Sequence, residues 1–235
     1  MIPPLPAPMG AQQLALRRQL PLKPAPITLE GAYVRLRPLD LAHDVEPLYA
    51  VSNGAPIAVG ARRLAAYDAE ALIWRYLFAG PFANLNQFAH YCQQQVEAVN
   101  GLCLCAVDGQ SGHPIGMANF MSNSPEHLKI ELGGIWYSPL AQQGKANTEA
   151  TYLMLDHAFG LGYQRVEWKC NARNERSRRA ALRMGFRFEG VQERHMIVKD
   201  RVRDTAWYRV LVDEWPHVKR HLRRLLDTAP TTSPY

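Results

Sequence analysis

The residues whose types and spacing could do chemistry gather in one stretch, Glu131 to Glu149, which reads E-L-G-G-I-W-Y-S-P-L-A-Q-Q-G-K-A-N-T-E. Leu132 to Tyr137 reads as a strand, Pro139 stops it, and a small polar loop feeds a helix entered near Asn147–Thr148. A join of this kind is an anion site, because unpaired backbone N–H groups converge with the positive end of the helix dipole. The chemistry that suits it is the holding of a phosphate-bearing ligand. A second concentration of charge is the arginine cluster at 173–187, on a short helix capped by Asn174 and stopped before Gly185–Phe186.

Periodicity supplies the elements that must position this stretch. Ala32 to Leu36 alternates into a strand, and Asp40 caps a helix from Leu41 to about Val51. After irregular residues 52–66, a helix capped by Asp68 runs through Leu77 until Gly80–Pro81 breaks it. Asn86 to Val99 is another helix. Leu102 to Val107 is a continuous apolar run, as expected of a strand buried on both faces, and Ile115 to Met121 returns beside it after the turn D-G-Q-S-G-H-P. The helix from Thr148 to Gly160 is apolar around most of its circumference and should be well buried. Arg165 to Cys170 alternates as a half-buried strand, and Phe188 to Arg194 and Thr205 to Val212 are two more, with K-D-R-V-R-D in the turn between them. A basic amphipathic helix from about Val218 to Leu226 follows. Strands and helices without strict alternation indicate a mixed α/β domain. Residues 1–26, rich in proline, form an arm that is poorly ordered or lies along the surface.

Composition narrows the class. Of 235 residues, 47% are hydrophobic, enough for a sizeable core. No run of about 18 apolar residues argues for a membrane span, and no secretory signal is visible, so a cytoplasmic protein is expected. Cys103 and Cys105 share one face of an apolar strand, Cys92 and Cys170 stand far off, and no zinc-ligand spacing occurs. The cysteines read as buried, reduced thiols and no metal is expected. The formal charge of +6 fits nucleic acid, an acidic protein surface or a polyphosphate cofactor.

The order of these elements, with the segments I-G-M-A-N-F, G-I-W-Y-S-P-L-A-Q-Q-G-K-A-N-T-E-A, R-V-E-W-K-C-N, N-E-R-S-R-R-A-A-L-R-M-G-F-R-F-E-G and R-D-T-A-W-Y, resembles the GNAT family of N-acetyltransferases, in its RimJ/RimL-like branch of ribosomal-protein acetyltransferases. The resemblance implies an α/β fold with a mixed, mostly antiparallel sheet of about seven strands flanked by helices. The fourth and fifth strands splay apart and acetyl-CoA, the co-substrate, sits in the gap. It implies a domain at 27–216, between the arm at 1–26 and a basic C-terminal helix and tail at 217–235. The backbone of Ile135, Trp136 and Tyr137 would face the thioester carbonyl, and Gln142, Gln143, Gly144, Lys145, Ala146, Asn147 and Thr148 would wrap the pyrophosphate. The family's loop pattern starts at Gln142 or Gln143, and either register is poorer in glycine than usual, with Lys145 a possible charge contact. Asn174 and Ser177 match the family's N-x-x-S helix start beside the pantetheine arm, and Arg178 is a candidate for the CoA phosphates.

The resemblance also assigns roles. Glu131 would remove the proton of the attacking amine, or else be a strand carboxylate paired to an Arg or Lys. Where many members have a tyrosine acid this chain has Ala181, so the thiolate's proton would come from Ser177, another residue or water. Tyr137 and Tyr208 are further phenols of interest. The expected activity is acetyl transfer to a primary amine, either a small molecule or a protein N-terminus, by direct attack. The alternative is a degenerate domain that binds CoA or a protein partner. No nucleic-acid recognition motif is present, no membrane partner is expected, and a homodimer is a possibility this fold offers.

Overall fold

The computed structural model describes residues 4–228; residues 229–235 of the expected basic tail lie outside them. Ten strands run in chain order: β1 (Leu29–Glu30), β2 (Val34–Pro38), β3 (Ile57–Val59), β4 (Arg62–Leu64), β5 (Leu102–Asp108), β6 (Pro114–Ser124), β7 (Lys129–Tyr137), β8 (Arg165–Asn171), β9 (Arg187–Val198) and β10 (Arg201–Leu211). Eight of them form one sheet in the order β1-β2-β5-β6-β7-β8-β10-β9, and β3 and β4 pair as a separate hairpin. Every neighbouring pair in the large sheet is antiparallel except β7 and β8. The eighth strand beyond the seven expected is the two-residue β1.

Side-chain alternation gives the sheet two apolar faces. In β5, Leu102, Leu104 and Ala106 join one core and Cys103, Cys105 and Val107 the other, so the whole strand is buried. Helices α1 (Ala11–Gln19), α2 (Val45–Ala50), α3 (Leu85–Glu97), α4 (Ala146–Gly160), α5 (Glu175–Arg183) and α6 (Trp215–Asp227) flank it. The first face carries α4 with Met154 and Leu155, and α6 with Val218 and Leu222. The second face holds Leu48 of α2, Phe88 and Cys92 of α3, and Trp74. Full burial of one such side chain stabilises the fold by about 1.5–3 kcal/mol. Burial also pushes the thiols up, Cys92 to about 12 and Cys103 well above its ordinary value, so they stay protonated.

Three expectations change: the helix read from Leu41 under an Asp40 cap starts only at Val45, with Asp44 at its N-cap position. The helix after Asp68 is a single π turn, Glu70–Trp74, although Asp68 does accept from Ala71 N–H at 2.9 Å. Lys199, arriving from the β9–β10 turn, takes the Trp74 carbonyl at 2.8 Å, and the chain then turns so that Tyr76, Leu77 and Phe78 face a cavity. Residues 52–66, expected to be irregular, contain the β3–β4 hairpin with Gly60 at φ +58° in its turn. The arm lies along the surface. Asn123 Nδ2 donates to the carbonyls of Pro21 and Leu22, Lys23 reaches Val96 O, and Leu16 covers Gly162.

Candidate active site

The site exists because β7 and β8 separate. Their parallel pairing ends at Leu132↔Trp168, and beyond it β8 pairs only with β10. A bulge in β7 lies at the same level, where Gly134 stands at φ +58° between the pairs Asn119↔Gly133 and Met117↔Trp136. Ile130 and Leu132 face one core, yet Trp136 faces the other and Tyr137 returns to the first. One extra residue has reversed the alternation. A side chain at 134 would also meet Asn119 Nδ2 at 2.6 Å, so glycine is required twice over. The edge of β7 from Gly133 to Tyr137 is thereby released from strand pairing and lines the opening.

Two lobes meet at this opening and share Tyr76, Ile135, Trp168, Asn174 and Ser177. The larger, about 650 Å³, runs to the N-terminus of α4. Among the described residues the N–H groups of Gly144 through Thr148 have no backbone partner, and the first one taken is that of Glu149, by Lys145 O at 2.9 Å. Asn147 Oδ1 is buried there without a partner. Arg75, Arg176, Arg179 and Arg183 line this lobe and no carboxylate does. It therefore offers a helix N-terminus, open amides and four guanidiniums, a donor set suited to a polyphosphate.

Several sequence-expected contacts are placed differently. Lys145 lies outside the lobe lining: its ammonium donates to Leu226 O at 2.6 Å and Tyr33 OH at 3.0 Å, so only its backbone remains for the ligand. Thr148 accepts from Arg183 at 3.1 Å and Ala146 is buried, so these too have only amides to offer. Positive φ falls on Gln143, at +63°, rather than on Gly144. Gln142 staples the loop by donating to Leu72 O at 3.1 Å and Tyr137 O at 2.9 Å. Arg178 is turned away, donating to Tyr208 OH at 3.2 Å and reaching Glu175. Its helix neighbours Arg176, Arg179 and Arg183 face the lobe instead, and the Arg179 side chain has no hydrogen bond or ion pair among the described residues. Asn174 Oδ1 accepts from Ser177 N–H at 3.1 Å, which caps α5 and leaves the amide Nδ2 free. Ala181 is fully buried and Tyr208 is held by Arg178, so neither faces the opening.

The smaller lobe, about 240 Å³, holds Glu131. The residue is 6% exposed, and its Oε2 accepts from Lys169 Nζ at 2.6 Å and Ser122 Oγ at 3.0 Å. Oε1 has no hydrogen-bond partner among the described residues. Burial raises the Glu131 pKa above the ordinary carboxylate value, with Lys169 and Ser122 opposing. The paired reading of this residue therefore holds on Oε2, and Oε1 is left open to the lobe. His195, Arg203 and Thr205, from the β9–β10 hairpin, close the lobe and were missed in the sequence. Trp74, Phe82 and Phe88 pack with Tyr91 as core, while Tyr76 reaches the lobe. No group of three or more His, Cys, Asp or Glu side chains among the described residues could hold a metal ion. No helix among them is long and apolar enough to cross a membrane.

A splayed parallel pair, a bulge at the split and a helix N-terminus with open amides together form a cleft suited to an anionic ligand. The acetyltransferase (GNAT) domain model matches residues 34–187, and the chain belongs to the GNAT family of acetyl-CoA-dependent N-acetyltransferases. A GCN5-related N-acetyltransferase from Brucella melitensis is similar at 37% identity, with 90% of this chain and 89% of that one covered and a TM-score of 0.78. A probable GNAT acetyltransferase from Chromobacterium violaceum is similar at 29% identity over 92% and 98%, with a TM-score of 0.76. The Salmonella typhimurium acetyltransferase that modifies the N-terminal serine of ribosomal protein L7/L12 is 15% identical over 79% and 99%, with a TM-score of 0.64, a likeness of fold alone. A comparison with curated proteins returns no match.

Proposed function

We propose that the protein transfers an acetyl group from acetyl-CoA to a primary amine held in the smaller lobe, with the CoA polyphosphate in the larger. The observation that carries this reading is the larger lobe's lining: four arginines, the open amides of Gly144 to Thr148 and no carboxylate. When bound, acetyl-CoA supplies a thioester carbonyl carbon, to which the amine nitrogen bonds as the C–S bond breaks, giving an N-acetyl product and free CoA thiol.

This chain's residues orient the partners and move protons. The released β7 edge from Ile135 to Tyr137 aims backbone N–H groups at the carbonyl oxygen as it gains charge. Glu131 Oε1, unpaired and lining the amine's lobe, takes the proton of the amine directly or through a water. Ser177 Oγ accepts from Trp168 Nε1 at 3.1 Å and so keeps its own proton to give to the departing thiolate. Asn174 Nδ2, free beside it, suits the amide groups of the pantetheine arm. The four buried free thiols fit a reducing, cytoplasmic setting. A ribosomal-protein N-terminus, the acceptor of the RimJ/RimL-like branch, and a small amine both satisfy this chemistry.

Calorimetric titration with acetyl-CoA, followed by thiol release over a panel of small amines and peptides, tests the proposal. Saturable binding and amine-dependent release are expected. Binding without release for every amine tried would favour a non-catalytic acyl-CoA-binding domain.

A further inference from the structure

Arg203 is the group in the smaller lobe that acetyl transfer leaves unused. The β9–β10 hairpin closes through Lys199 and Asp200, at φ +50° and +59°, and Lys199 pins its tip to Trp74 O. Next to this turn the expected pattern inverts: apolar Val202 is 64% exposed and Arg203 only 5%. The guanidinium lies over the Phe78 ring, 4.7 Å from its centroid, and its Nε donates to Thr205 Oγ1 at 3.3 Å. Among the described residues it forms no ion pair, and its two terminal nitrogens have no hydrogen-bond partner, while the residue lines the lobe that holds Glu131. A buried guanidinium without an anion is costly to a folded protein, and its planar fork matches a carboxylate.

The charges of the lobe point the same way. Lys169 and Arg203 are positive, Glu131 is negative, and Tyr76, Cys170 and His195 are the other titratable groups lining it, so with a neutral phenol, thiol and imidazole the lobe carries one positive charge in excess. An amine that also bears a carboxylate carries one negative charge in its reactive, neutral-amine form and balances that excess. A diamine would add to it. At about 240 Å³ the lobe is below the roughly 300–1,000 Å³ of ordinary ligand pockets, which suits a molecule of amino-acid size.

We infer that the acceptor is a small amine carrying a carboxylate, which Arg203 binds through its two terminal nitrogens while Glu131 faces the amine. The inference rests on the acetyltransferase reading of this same site. It is tested by thiol release with matched probes: glycine against glycinamide and β-alanine against β-alaninamide, each corrected for its neutral-amine fraction. 2-Aminoethyl phosphate and 1,4-diaminobutane serve as phosphate and cationic arms. The acid is expected to exceed its amide in kcat/KM by about 10- to 100-fold, the usual worth of a charge-assisted bidentate contact. Arg203→Gln should reduce that ratio at least tenfold, and Arg203→Lys by less. Acetyl-CoA affinity, read in the same variants, reports whether the cleft stays folded. Equal use of acid and amide, a preference for the phosphate or the diamine, or a ratio unchanged in Arg203→Gln would overturn the inference. Equilibrium binding of the same probes to the CoA-saturated protein needs no turnover: acid binding that Arg203→Gln loses supports the inference, and acid bound no tighter than amide sinks it. Failure of acetyl-CoA to bind is a separate result, which defeats the transferase reading itself.

Discussion

Glu149 holds the ligand-binding helix to the sheet, and removing it should be felt in stability before anything else. It sits in the first turn of α4, 7% exposed, and accepts three backbone N–H groups from the bend leading into β2 and its first residue: Ala32 at 2.9 Å, Tyr33 at 2.6 Å and Val34 at 2.8 Å. Gly31 leaves room for it, since a side chain there would lie 2.4 Å from Glu149 Oε2. In Glu149→Ala, water can reach the amides of Ala32 and Tyr33, which are exposed residues, but Val34 is fully buried and its amide stays unsatisfied. One buried orphan costs about 1–3 kcal/mol and the exchanged charge-assisted bonds add to it, so a loss of roughly 2–4 kcal/mol is expected. For a chain of this size that is a fall in Tm of roughly 5–15 °C. Thermal unfolding followed by circular dichroism measures it, with Glu149→Gln, which keeps one acceptor oxygen, expected between the two. Acetyl-CoA affinity should fall too, because the N-terminus of α4 loses its anchor. A Tm within 2 °C of the wild type would refute the reasoning.

Three further predictions concern the split and the protons. Glu131→Gln should lower turnover by about 10²- to 10⁴-fold with little change in acetyl-CoA affinity, as expected for loss of a general base. Because burial raises the Glu131 pKa, wild-type turnover should fall as pH drops through that raised value, and the mutant should lack this limb; equal steady-state rates from pH 6 to 9 would eliminate the role. Gly134→Ala places a side chain at φ +58° against Asn119, which should cost at least about 1–2 kcal/mol in thermal stability and reduce kcat more than acetyl-CoA affinity. Glu214 titrates at about 2: burial works against the charged form, but hydrogen bonds from Arg187, Leu211 N–H and Arg209 outweigh it. A depressed carboxyl stabilises above its unfolded value near 4.5 and loses that contribution as pH falls towards 2, so the Tm gap between wild type and Glu214→Gln should narrow across that window.

The sequence by itself determined what is local. Alternation in Leu102 to Val107 was enough to place Cys103 and Cys105 on one face, and a proline-stopped strand running into a helix was enough to place open amides at a helix N-terminus, because backbone geometry alone produces both. Asn174 as a cap is likewise readable, since its partner, Ser177 N–H, is three residues away. Tertiary structure decided where the long side chains go. Lys145 was open to a phosphate until Leu226, 81 residues on, supplied a carbonyl. Arg178 and Arg179 are alike in sequence, and Tyr208, 30 residues on, holds the first of them away from the lobe. Glu149 ends the stretch as an ordinary first-turn acid, and its three partners lie more than 110 residues earlier. Periodicity can say which face a residue occupies but not what waits across from it, and at the bulge of Gly134 even the face changes. For that reason the loop that opens onto α4 is legible in the sequence, whereas Arg203, buried beside an exposed valine, is visible only once the hairpin has folded over the cleft.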